Sequence, residues 1–110
     1  CLGANDMLRG INPKETKNNL EEIIKIAKNK NIKVIIAGMI APTSYGFVYK
    51  KSFDKIFSDL SKKYKLQLIP FLLKGVAQKP EFNLSDGMHP NDQGTIIIGN
   101  TLKKAILENL

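Results

Sequence analysis

Tryptophan is absent from this 110-residue chain, and cysteine, histidine and arginine occur once each, as Cys1, His89 and Arg9. A lone cysteine excludes an internal disulfide and a cysteine-built zinc site. Cys1 reads as a small apolar residue at the end of a strand rather than as a reactive thiol. No apolar run approaches the roughly 20 residues that a membrane-crossing helix needs, so no stable membrane anchor is expected. Internal repeats and low-complexity linkers are also missing. The net charge of +7 comes almost wholly from lysines scattered along the chain. Nucleic-acid binders concentrate such charge in a patch with arginine and stacking aromatics. Neither is present, so a solvated lysine-rich surface is favoured and a basic nucleic-acid-binding module is the weaker reading.

What is present alternates between helix and strand. Asn12 and Pro13 carry the signals of a helix start, with Glu15 at capping-box spacing. Leu20, Ile23, Ile24 and Ala27 follow on one face at helical spacing. Ile32 to Gly38 is short, β-branched and nearly all apolar, as in a parallel strand covered on both faces. Met39 to Gly46 then forms a loop, punctuated by Pro42 and Gly46, at a strand's C-terminal end, where open α/β sheets bind ligands. A second amphipathic helix buries Phe53, Ile56, Phe57, Leu60 and Tyr64. Leu66 to Ile69 is a second strand, stopped by Pro70. Phe71 to Ser85 reads as a short helix followed by an irregular loop. From about Asn91 a last helix carries Ile96, Ile97, Ile98, Leu102, Ala105 and Ile106 inward. The pattern predicts a three-layer α/β/α arrangement on a parallel sheet with right-handed crossovers.

The chain opens on CLGAND, which reads as the end of a further strand and the loop leaving it. Two complete strands cannot cover three amphipathic helices. The expectation is therefore that residues 1–110 form the C-terminal part of one larger α/β domain whose N-terminal strands are missing here.

Two short stretches carry chemistry. In SDGMHPND, Gly87 permits a sharp bend and Pro90 disfavours helical geometry at His89. Asp86, three residues before His89, can fold back and accept a hydrogen bond from Nδ1–H, leaving Nε2 as a base. The alternatives are an Asx-type turn with an exposed histidine and, more weakly, a metal site from Asp86, His89 and Asp92, which lacks a second histidine. In LGAND, Gly3 lets backbone approach closely, and the amide of Asn5 can donate to a developing oxyanion. Gly and Asn are also ordinary strand-exit residues.

LGAND followed roughly eighty residues later by DGMHPN resembles the GDSL-type, or SGNH, family of ester hydrolases. It is most similar to the family's bacterial branch of multifunctional thioesterases, arylesterases and lysophospholipases. The likeness runs through GANDMLRGINP, PTSYG, LIPFLL and KPEFNLSDGMHPN to the final helix. The resemblance implies a flavodoxin-like SGNH hydrolase fold and a serine esterase cleaving carboxylic or thioesters of small molecules through an acyl-enzyme. It implies no cofactor and no metal. It makes His89 the base, Asp86 its orienting acid and Asn5 an oxyanion donor supported by Gly3. Pro42, Tyr45 and Gly46 would border the substrate pocket. Members of this branch are often exported, which implies a periplasmic or exported setting.

The family's nucleophile sits in a Gly–Asp–Ser motif. Ser44, Ser52, Ser58, Ser61 and Ser85 are present, and none follows Gly–Asp. The glycine that supplies an oxyanion-hole N–H between that motif and Asn5 is also not in these residues. The isolated chain is thus expected to be inactive. The competing reading is a non-catalytic flavodoxin-like binding domain, or a degenerate hydrolase remnant that keeps the turn without the chemistry.

Missing strands would leave an open sheet edge. The isolated 110-residue chain should therefore melt in a broad transition by circular dichroism, and a sharp, cooperative melt would contradict this.

Overall fold

The computed structural model describes residues 2–108. Cys1, expected at a strand end, lies outside them. In chain order the elements are α1 (Ala4–Leu8), α2 (Pro13–Asn29), β1 (Ile35–Ala37), a 3₁₀ turn (Thr43–Tyr45), α3 (Phe47–Tyr64), β2 (Gln67–Ile69), a second 3₁₀ turn (Pro80–Phe82) and α4 (Asp92–Glu108). The chain divides into two compact units after Pro70. No helix among the described residues is long and apolar enough to cross a membrane.

The first unit is built on the expected parallel pair. Ile35, Ile36 and Ala37 of β1 lie opposite Gln67, Leu68 and Ile69 of β2. Pairing is limited to three residues per strand, so β1 is shorter than its apolar run. Gly38 shows why the strands end together: its N–H donates to the Ile69 carbonyl at 2.8 Å, and a Cβ there would lie 2.5 Å from the Pro70 carbonyl oxygen.

Helix α2 starts and stops as its sequence directs. The Asn12 side chain accepts from Lys14 N–H at 3.0 Å, with Pro13 in the first turn, so Asn12 caps the helix through Lys14 rather than through the expected capping box with Glu15. At the other end Asn31 adopts φ 57°. Ile32 N–H returns to the Ala27 carbonyl and Asn31 N–H to that of Lys28, the paired closure of a Schellman motif. Its buried face is centred on Thr16 and Ile24, with Leu20 and Ala27 half-buried. Ile23 falls on the shoulder of that face and is 47 % exposed, against expectation. Helix α3 buries Phe53, Ile56, Phe57 and Leu60 as its pattern requires. Tyr64 is half-buried and donates its hydroxyl to Glu21 on α2 at 2.6 Å.

Three further expectations are corrected. Leu2 to Asp6 is not a strand end with a loop: Gly3 turns the chain at φ 97°, and α1 begins at Ala4. Ala4, Met7 and Leu8 are good helix formers, and one glycine suffices to redirect them. Residues 72–78 form a series of turns rather than a helix, because Gly75 at φ 84° and Gln78 at φ 63° interrupt the helical path. On α4, Ala105 is buried and Ile97 and Ile98 are half-buried, but Ile96, Leu102 and Ile106 are exposed. Three consecutive isoleucines sweep about 200° of a helix and cannot all face one way.

Gly38→Ala should destabilise the protein by about 2 kcal/mol or more, because backbone on the neighbouring strand must shift to admit a methyl group. The urea midpoint of the whole protein checks this, and an unchanged midpoint would contradict it.

Candidate active site

The turn at residues 84–90 is closed by its own backbone. Gly87, at φ 70°, donates to the Leu84 carbonyl at 2.9 Å, and Leu84 N–H donates to the His89 carbonyl at 2.7 Å. Asn83 and Pro90 form an antiparallel bridge, and Asn91 N–H reaches the Phe82 carbonyl at 3.0 Å. The result is a small clasp holding Ser85 to His89 at its tip.

Within that tip the Asp86 carboxylate is the organising group. Its Oδ1 accepts from Met88 N–H at 2.9 Å and from His89 N–H at 3.0 Å. Its Oδ2 lies 2.6 Å from His89 Nδ1. The two backbone N–H donors, His89 first and then Met88, together with the imidazole, hold the Asp86 carboxyl down to about 2, from an ordinary 3.8. An ionised carboxylate can only accept, so a contact this short puts the proton on Nδ1 and leaves the Nε2 lone pair free when the ring is neutral. The His89 side chain is 71 % exposed, so the ring is reachable by a reacting group. The carboxylate therefore supports this turn fully above its ordinary value of 3.8, and that support is lost as pH falls through about 2.

The clasp is fixed to α4 by Asn91, which sequence reasoning did not single out. Its Oδ1 accepts from Gly94 N–H at 2.9 Å, while its Nδ2 donates to the Glu81 carbonyl at 2.8 Å. An Asn directly before Asp92 in the first helical turn is an N-cap signal, and it was legible. Gly94 permits the same junction, since a Cβ there would sit 2.2 Å from the Phe82 carbonyl oxygen. Asn83 adds a further tie, with its Nδ2 donating to the carbonyls of Val76 and Lys79, both at 2.8 Å.

The other expected site residues lie in the first unit. Gly3 is buried and stands before α1, and Asn5 is exposed on that helix. Thr16 donates its hydroxyl to Asp6 Oδ2 at 2.9 Å, immediately after Asn5 in the chain. Pro42 is exposed and leads into the 3₁₀ turn, and Gly46, at φ 90°, ends that turn and starts α3. Tyr45 sends its hydroxyl to the Leu8 carbonyl at 3.3 Å, which places this loop against the end of α1. Tyr49, another residue that the sequence did not mark, donates to the Ile11 carbonyl at 2.8 Å. Asp54 and Lys50 brace the preceding segment: Ala41 N–H donates to Asp54 Oδ1 at 2.7 Å, and Lys50 Nζ donates to the Ala41 carbonyl at 2.9 Å. A shallow cleft of about 630 Å³ elsewhere in this unit is lined by α2 and α3 residues including Lys14, Lys17, Tyr49 and Lys55, and by none of the expected site residues. Among the described residues no group of three or more His, Cys, Asp or Glu side chains is arranged to hold a metal ion.

The arylesterase of Vibrio mimicus is 34 % identical over 109 residues, covering 99 % of this chain and 54 % of that protein. Thioesterase 1/protease 1/lysophospholipase L1 of Escherichia coli K12 is 32 % identical over 105 residues, covering 96 % of this chain and 50 % of that protein. The chain thus spans about half the length of these curated relatives. Among solved structures, TesA superposes with a TM-score of 0.90 at 28 % identity, over 98 % of this chain and 60 % of that one. AlinE4, an SGNH-hydrolase family esterase, gives 0.74 at 34 % identity, over 98 % and 57 %. The α/β arrangement with its small parallel pair is thus that of SGNH hydrolases. The sequence pattern of the GDSL-like Lipase/Acylhydrolase family matches residues 1–95, and the chain belongs to that family.

Proposed function

We propose that these residues are the C-terminal part of one SGNH hydrolase domain, and that the whole protein hydrolyses carboxylic esters or thioesters of small molecules through an acyl-enzyme. The 2.6 Å contact between His89 Nδ1 and Asp86 Oδ2 carries this reading. It fixes the ring so that Nε2 is the basic nitrogen, and the exposure of the imidazole leaves it open to a nucleophile. Family membership supplies the reaction class.

In that reaction His89 Nε2 takes the proton of a serine hydroxyl as its oxygen bonds to the carbonyl carbon. The serine is one contributed from outside these residues, since none here follows Gly–Asp. The positive charge formed on the ring faces the Asp86 carboxylate, which stays ionised throughout the neutral range. Asn5 Nδ2 donates to the oxyanion. Collapse expels an alkoxide or thiolate, which takes its proton from Nε2. Water then repeats the sequence on the acyl-enzyme and releases the acid. Gly3 shapes the segment that presents Asn5, and Pro42, Tyr45 and Gly46 border the substrate.

The relatives' names speak of arylesters, thioesters and lysophospholipids. The same range is the substrate class proposed here, with a periplasmic or exported setting as the one that the family resemblance favours.

Turnover of p-nitrophenyl acetate by the whole protein tests the assignment. His89→Ala should lower kcat by about 10⁴-fold, and Asn5→Ala by about 10²-fold, with both variants retaining their folded circular dichroism spectra. Equal turnover by wild type and His89→Ala would refute the proposed base.

A further inference from the structure

Helix α1 has five residues and no side-chain cap at its N-terminus. A helix this short does not hold itself together, because nucleation is costly and few bonds follow it. At its ends Met7 N–H donates to the Gly3 carbonyl and Arg9 N–H to that of Asn5, each at 3.0 Å. Where the Asn5 amide points is therefore decided by what grips α1 from outside.

Thr16 grips it on both sides of Asn5. It lies in the first turns of α2 at 1 % exposure, and among the described residues it is the one polar side chain in the core. Its hydroxyl donates to Asp6 Oδ2 at 2.9 Å. Its methyl carbon would stand 3.6 Å from a Cβ at Gly3, beside Phe57 Cζ at 3.7 Å, which is ordinary packing distance. A helical threonine usually turns its hydroxyl back to the carbonyl four residues earlier, here that of Asn12. Thr16 reaches across to Asp6 instead. One side chain thus packs beneath the residue two before Asn5 and bonds the residue directly after it.

We propose that Thr16, acting through Asp6, is a positioning residue that sets the direction of the Asn5 amide. The inference rests on the reading of Asn5 as an oxyanion donor. Losing the Thr16 hydroxyl lets α1 turn about its axis, and an amide displaced by a fraction of an ångström donates poorly to the developing charge while the ground-state substrate still binds.

A double-mutant cycle in the whole protein tests this, with p-nitrophenyl acetate as the probe. Thr16→Val keeps the shape of the side chain and removes its hydroxyl. It should lower kcat about tenfold with KM changed less than about twofold, and Thr16→Ser should restore most of the loss. In an Asn5→Ala background Thr16→Val should have no further effect on kcat. An equal loss in both backgrounds, or none in the wild-type background, overturns the inference while leaving Asn5 as the donor. Normal turnover by Asn5→Ala alone instead refutes the oxyanion reading, and the inference with it. If Thr16→Val yields too little folded protein, Asp6→Ala breaks the same bond from its more accessible end, and the same non-additivity with Asn5→Ala is expected.

Discussion

The candidate site depends on one carboxylate accepting three hydrogens. Asp86 takes the backbone N–H groups of Met88 and His89 on one oxygen and the imidazole Nδ1–H on the other. The two backbone bonds close the turn, and the third orients the ring, so the shape of the loop and the tautomer of its histidine have a common cause. The same donors stabilise the ionised form, which keeps the carboxyl near 2 and the acceptor charged wherever the imidazole can be neutral. Gly87 is needed because the chain passes through a positive φ inside this ring of bonds. Asn91 and Gly94 then tie the ring to a regular helix.

The Asn5 segment solves the opposite problem. It has helical residues but too few of them, so its geometry is imposed by neighbours. Thr16 and Met7 are the buried anchors, and the phenols of Tyr45 and Tyr49 hold the carbonyls of Leu8 and Ile11 that follow. A polar bond in the core is costly to leave unmade, so Asp6 and Thr16 favour one arrangement over its near alternatives.

Much of this was legible in the sequence because it is local. The Asp86–His89 spacing, the Asn12–Pro13 start of α2 and the buried stripe of α3 from Phe53 to Leu60 depend on residues no more than four apart, and each formed where its pattern put it. The parallel pairing of β1 with β2 was also readable from two short apolar runs separated by a helix. The elements that were not legible turn on tertiary contacts or on single glycines. No periodicity in LGANDML marks a five-residue helix, since its stability lies in Thr16 and in Gly3. The loss of the helix after Phe71 follows from two positive-φ positions, one of them Gln78, a residue type that gives no warning of it. The exposed isoleucines of α4 reflect a composition too apolar for a single stripe. The long reach from Thr16 to Asp6 spans ten residues, beyond any spacing rule for a helix or a turn.

The turn fixes His89 with its proton on Nδ1 and its lone pair on Nε2. ¹⁵N NMR of the labelled imidazole, recorded at a pH where the ring is neutral, reads this directly. A single tautomer is expected, with Nδ1 showing the shift of a protonated nitrogen and Nε2 that of a bare one. A ring averaging between tautomers, or one protonated at Nε2, would contradict it.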